Sequence, residues 1–100
     1  MIYMLKHVGK NPEICLKGHF TFVDYGTFRE IGQLLDKIPI LSCSFDLSDL
    51  DFIDSAGLGM LLIVRDKMIS KEGHLTLKGV QGQVRKMLSL GNLEHLFVVE

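Results

Sequence analysis

The stretch from Phe45 to Lys71 changes its apolar period part-way, and that change constrains the fold more than any other feature of the chain. Phe45-Asp46-Leu47 reads as the end of a strand. From Leu58 to Lys71 apolar residues recur at helical spacing. Leu58, Leu61, Leu62, Met68 and Ile69 form one stripe, with Arg65 among them on a stem long enough to snorkel. A strand that hands over to a long amphipathic helix needs a sheet on which that helix can lie.

Between the two lies a corner, Asp51-Phe52-Ile53-Asp54-Ser55-Ala56-Gly57-Leu58-Gly59. Ser55 falls where a helix N-cap belongs, its hydroxyl free to bond the orphan N–H groups of the first turn. Gly57 and Gly59 follow within that turn, each costing roughly 1 kcal/mol against alanine inside a helix. A sequence that accepts this cost twice points to backbone that something approaches closely. Met60, Ile63 and Val64 lie off the core stripe, on the opposite arc. They serve either a wide contact with a neighbouring helix or a partner surface, where methionine suits an exchange of partners.

The flanking segments supply the rest of the sheet. Residues 1–8 form a strand, Gly9-Lys10-Asn11-Pro12 a turn, and residues 13–17 a second strand pairing back as a hairpin. Residues 18–25 read as an extended loop with Phe20 and Phe22 as aromatic anchors. Asp24 or Thr27 caps the next helix, whose Phe28, Ile31, Leu34 and Leu35 share one face until Pro39 stops it. Residues 41–47 make a buried central strand, and the helix over 58–71 ends at Gly73. A strand over 74–78, a helix over 81–90 with Val84, Met87 and Leu88 inward, Gly91 as its stop, and a short strand over 96–99 complete the chain. The expected class is α/β, a mixed and mostly parallel sheet with covering helices. One hundred residues suit one domain, 1–100, which buries roughly 65% of its unfolded surface without disulfide or metal support.

Several function classes recede. A net charge of −1 with no basic stripe gives no field for nucleic acid or anionic lipid. Cys15 and Cys43 lack Cys-x-x-Cys spacing and read as small buried side chains in a reducing cytoplasm. Residues 1–5 are too short for a targeting segment, and the longest apolar run, 60–64, is a quarter of a membrane span of about 20 residues. Asp46, Asp49, Asp51 and Asp54 lack the order and the later glutamate of a calcium loop, so they read as turn and cap carboxylates or as acids for a basic partner. Ser55 lacks the Gly-x-Ser-x-Gly elbow, and His7, His19, His74 and His95 are scattered. Gly57-Leu58-Gly59 lacks the third glycine of a dinucleotide fingerprint. No enzyme, resident cofactor or metal is expected.

Residues 46–62, Asp-Leu-Ser-Asp-Leu-Asp-Phe-Ile-Asp-Ser-Ala-Gly-Leu-Gly-Met-Leu-Leu, resemble the signature of STAS domains, above all the stand-alone bacterial anti-sigma factor antagonists. The resemblance continues through Gly73-His74-Leu75-Thr76-Leu77 and Val84-Arg85-Lys86-Met87-Leu88 to Gly91-Asn92-Leu93 and Leu96-Phe97. Leu16-Lys17-Gly18 carries it more loosely into the first third. It implies that Ser55 is phosphorylated, with Asp54 and Gly57 in the same motif; Ala56 stands where some members carry a second serine. It further implies docking through Asp54, Ser55, Ala56, Gly57, Leu58, Gly59, Met60, Ile63 and Val64 onto an anti-sigma factor with serine-kinase activity. A metal-dependent serine phosphatase would reset the switch in the cytoplasm, with ATP and metal belonging to those partners. Two rival readings are a constitutive scaffold, for example of a transport complex, and a nucleotide or small-ligand sensor using Gly57 and Gly59 as an anion nest. The family usually adds a helix after the last strand, for which Glu100 leaves no residues. That departure reads as a trimmed member or as a sheet flank open to a partner.

Overall fold

Every second residue of three strands is apolar, and those residues meet on one face of a sheet. Ile14 and Leu16, then Cys43, Phe45 and Leu47, then Leu75 and Leu77 are all buried in one cluster. The computed structural model describes residues 1–7, 11–37 and 42–100; the turn expected at Gly9 and Lys10, the strand residues Val8 and Leu41 and the helix stop at Pro39 lie outside the described residues. In chain order the elements are β1 (Ile2–His7), β2 (Glu13–Phe20), α1 (Tyr25–Lys37), β3 (Cys43–Ile53), α2 (Ser55–Ser70), β4 (Leu75–Lys78), α3 (Gly82–Leu90) and β5 (Val98–Val99). They form one five-stranded sheet in the order β1-β2-β3-β4-β5. Only the β1–β2 hairpin is antiparallel; the other three pairings are parallel. Phe28, Ile31 and Leu35 of α1 and Leu58, Leu61, Val64 and Met68 of α2 close the core over the apolar face. The expected α/β architecture is the one observed.

Several boundaries differ from the sequence reading. β2 runs on to Phe20 and β3 to Ile53, because the two strands pair along their length as far as Phe20 with Ile53. Asp49 and Asp51, read as turn and cap carboxylates, therefore stand on β3 with Asp46. Phe20 is a core anchor, but Phe22 is exposed in a 3-10 turn (Phe22–Asp24) that leads into α1. Asp24 bonds back to the Thr21 N–H, and Thr27 lies inside α1. A second 3-10 turn, Glu94–Leu96, takes the start of the expected last strand.

Both long-range helix stops are displaced by one residue. α2 closes through Glu72 at φ 64°, with Gly73 N–H bonding Met68 C=O at 2.8 Å and Glu72 N–H bonding Ile69 C=O at 2.9 Å. α3 closes in the same manner through Asn92 at φ 53°, with Leu93 N–H on Leu88 C=O at 2.9 Å. These are Schellman closures with glutamate and asparagine, not glycine, in the left-handed position.

β4 has four residues against eleven in β3, and it pairs only with the first half of β3. It stops because Gly79 turns out of the sheet at φ 67°, pressed so close to Ser48 that a Cβ there would sit 2.8 Å from the Ser48 Cβ. The second half of β3 is covered instead by side chains at the start of α3. Gln81 donates to Ser48 C=O, and Gln83 takes both backbone groups of Ile53, accepting from its N–H and donating to its C=O at 2.9 Å each.

Candidate functional site

β2 and β3 end side by side, and the chain leaves each through a tight corner. Past Ile53, Asp54 is extended (φ −102°, ψ −178°), the backbone of an N-cap. Its N–H bonds Phe20 C=O at 3.2 Å. Its carboxylate serves both corners: Oδ1 accepts from Gly57 N–H at 2.8 Å, and Oδ2 accepts from Phe22 N–H at 3.1 Å. The cap assigned to Ser55 from the sequence thus belongs to Asp54. A carboxylate has two oxygens for two donors, and a hydroxyl does not reach both corners. Ser55 becomes the first residue of α2, exposed and with no hydrogen bond to its hydroxyl among the described residues.

The two glycines of this turn answer different needs. A Cβ at Gly57 would lie 2.7 Å from both Phe20 O and Ile53 Cγ1, so what approaches that backbone is the protein's own sheet. A Cβ at Gly59 would meet nothing within 4 Å. Of the residues read as partner-binding, Ser55 and Ile63 are exposed, Asp54, Ala56 and Gly59 are half-buried, and Gly57, Leu58, Met60 and Val64 are buried. Met60 and Val64 pack toward α1, because α2 is apolar around most of its circumference and the sheet and α1 take different sides of it. Ile69, placed on the core stripe from the sequence, is exposed. Between α1 and α2 lies a groove of about 240 Å³, floored by Phe28, Met60 and Val64 and edged by Tyr25, Arg29 and Ile63.

The sequence reading missed what stands beside Ser55. Phe22, Val23 and Tyr25 are 70%, 72% and 59% exposed, a run of large side chains turned to solvent where the 3-10 turn meets α1. Asp24 in that turn is 6% exposed. Its Oδ2 accepts from Thr21 N–H at 2.9 Å and its Oδ1 pairs with the amino terminus of Met1 at 3.0 Å. Burial alone would push its pKa up; the Thr21 N–H and the terminal ammonium outweigh that and hold the carboxyl below its ordinary range.

The other acids do not converge on Ser55. Eight residues of strand separate Asp46 from Asp54, roughly 26 Å. Asp49 pairs with Lys17 at 3.9 Å, both exposed. Asp46 accepts from the Ser48 hydroxyl at 2.7 Å and its N–H at 3.0 Å, which together hold its pKa down. On that face Glu13, Cys15 and Asp46 each bring a ligand-type atom within 4.8 Å of the others. Lys78 stands 2.9 Å from Glu13, and Lys6 3.7 Å from Asp46, so lysines supply the countercharge that a cation would bring. Cys15 is thus a buried thiol beside carboxylates, not one in an apolar setting. Burial pushes the Cys43 thiol up to about 12, which leaves it protonated.

Residues 10–100 match the STAS domain family. A STAS-domain containing protein of Pseudomonas aeruginosa (strain UCBPP-PA14) is 29% identical over 93 residues, covering 91% of this chain and 89% of that one. An anti-sigma factor antagonist from Mycobacterium paratuberculosis superposes with a TM-score of 0.83 at 18% identity, over 98% of this chain and 83% of that one. The anti-sigma factor antagonist SpoIIAA in its unphosphorylated form has a TM-score of 0.76 at 19% identity, over 99% of this chain and 87% of that one. The phosphorylated form of Bacillus SpoIIAA gives 0.75 at 18%, over 99% and 91%. The murine anion transporter Slc26a9 contains the same fold, with a TM-score of 0.76 at 15% identity over 94% of this chain and 16% of the transporter.

Proposed function

Because the chain belongs to the STAS domain family, we propose that it acts as an anti-sigma factor antagonist whose binding is switched at Ser55, with residues 1–100 working as one STAS unit. The observation that carries this reading is the division of labour at the start of α2. Asp54 does the capping, so the Ser55 hydroxyl is exposed, unbonded and free to accept a phosphoryl group without removing a structural contact.

A phosphoserine adds about −1.5 to −2 of charge and three acceptor oxygens. At the first turn of a sixteen-residue helix the macrodipole favours that charge, so the domain stays folded. Solution of SpoIIAA, a protein of the same fold, in both phosphorylated and unphosphorylated forms supports that tolerance. A docked partner fares differently. Exposed Phe22, Val23 and Tyr25 beside Ser55 offer it apolar area, and a doubly charged group at the centre of that contact would be buried unpaired. Phosphorylation therefore releases the partner without unfolding the antagonist.

In this scheme the partner is an anti-sigma factor with serine-kinase activity, ATP enters with it, and a metal-dependent phosphatase restores the hydroxyl. The antagonist catalyses nothing and works in the cytoplasm. Among the described residues no helix is long and apolar enough to cross a membrane. The test is capture of partners from native cell extract by wild-type protein, Ser55→Ala and Ser55→Glu. Wild type and Ser55→Ala should retain the anti-sigma kinase and Ser55→Glu should lose it; equal capture by all three would end the proposal. The mouse transporter domain supports one other reading, a constitutive scaffold of a transport complex, for which Ser55 would carry no phosphate in protein from its source.

A further inference from the structure

Resting on that reading of Ser55, we propose that Gln83 is a positioning residue for the switch, acting through Ile53. Three restraints converge on the two residues before Ser55. Phe20 C=O holds the Asp54 N–H, and the Asp54 carboxylate holds Gly57 and Phe22. The third restraint comes from α3. Gln83 takes both the N–H and the C=O of Ile53 at 2.9 Å each, the pair of bonds a neighbouring strand would have made had β4 continued. The partners settle the orientation of the amide, since the backbone N–H needs an acceptor and the carbonyl needs a donor.

Ile53 is the residue on which the corner turns. Its side chain is fully buried against the first turn of α2, where a Cβ on Gly57 would overlap it. The Ser55 hydroxyl makes no hydrogen bond among the described residues, so its place is inherited from the backbone that Ile53 and Asp54 hold. A kinase must hold the hydroxyl in line with the transferred phosphate, and a misplacement of about 1 Å costs on the order of a hundredfold. Freeing the backbone of Ile53 loosens the hydroxyl while leaving the core behind it intact. Gln81 supplies the internal comparison: its side chain makes one bond, to Ser48 C=O, seven residues before Ser55.

The experiment follows Ser55 phosphorylation by mass spectrometry in native cell extract with ATP, and amide hydrogen exchange in the purified chain. Gln83→Met keeps length and loses both bonds. It should slow phosphorylation about tenfold or more and speed exchange over 53–58 by a similar factor, with Leu75–Lys78 unchanged. Gln81→Met should change both less than about threefold, the scale of a single surface-side bond. Phosphorylation of Gln83→Met at the wild-type rate, or faster exchange spread evenly over the sheet, would overturn the proposal. If Gln83→Met does not fold, Gln83→Glu keeps an acceptor for the Ile53 N–H but turns a carboxylate oxygen against the Ile53 carbonyl in place of the donor. The same local pattern is then expected, and its absence counts against the role. If wild-type protein takes no phosphate, the switch reading fails separately, and the exchange over 53–58 still decides whether Gln83 positions the corner.

Discussion

Alanine at Gly57 and alanine at Gly59 should move stability in opposite directions, although the two sites lie in one turn of one helix. Intrinsic propensity favours both changes by about 1 kcal/mol, since each removes a glycine from α2. At Gly59 nothing opposes that gain, because the new methyl enters open space. Stability should rise by about 0.5–1 kcal/mol, or roughly 2–8 °C in Tm for a domain of this size. At Gly57 the methyl would sit 2.7 Å from Phe20 O and Ile53 Cγ1, while carbon contacts are comfortable only near 3.5–4.0 Å. Neither obstacle yields easily. Phe20 O is backbone, bound to Asp54 N–H, and Ile53 is fully buried. α2 must shift outward and strain the Asp54 cap. Because neither obstacle yields, overpacking falls in the upper part of its usual range, about 2–3 kcal/mol, and against a propensity gain of about 1 kcal/mol Gly57→Ala should lose about 1–2 kcal/mol. Urea unfolding at constant m-value measures both. Equal signs for the two variants, or a stabilised Gly57→Ala, would refute the close approach that assigns Gly57 its role.

Asp54→Ala should cost about 1–2 kcal/mol by stripping acceptors from Gly57 and Phe22, while Ser55→Ala should stay within about 0.5 kcal/mol of wild type in the same denaturation assay. Glu72→Gly should stabilise by about 0.5–1 kcal/mol, read as a higher urea midpoint, because it puts glycine in the left-handed position that closes α2. Asp24 and Asp46 have folded-state pKa values below their ordinary ones, so their contribution is complete above the unfolded value of about 3.9 and fades as pH falls through the lower folded value. Thermal melts from pH 6 to pH 2 should show that loss, and Asp24→Asn, already lacking its share at pH 6, should show a shallower decline.

The class of the fold was readable because its determinants are periodic: alternation in the strands, the 3.6-residue stripe of α1, and the abrupt change of period before α2. Four features were not readable, each for a physical reason. Asp49 and Asp51 look like turn residues by propensity, yet pairing with β2 holds them in a strand, a tertiary effect with no local mark. α2 is apolar on too many sides for periodicity to say which side meets the sheet and which meets α1, so Met60 and Val64 could not be placed. The cap was misassigned by one residue because aspartate and serine are both good caps, and only geometry shows that Asp54 has two donors to satisfy. Gln83 had no signal at all, since an amide that replaces a strand looks like any polar helix residue.

The sheet order repeats the chain order from first strand to last. No strand has to slip between two that are already paired, so assembly can proceed outward along a single growing edge. Each helix–strand module closes onto its immediate predecessor, so no loop to be closed is longer than a single crossover.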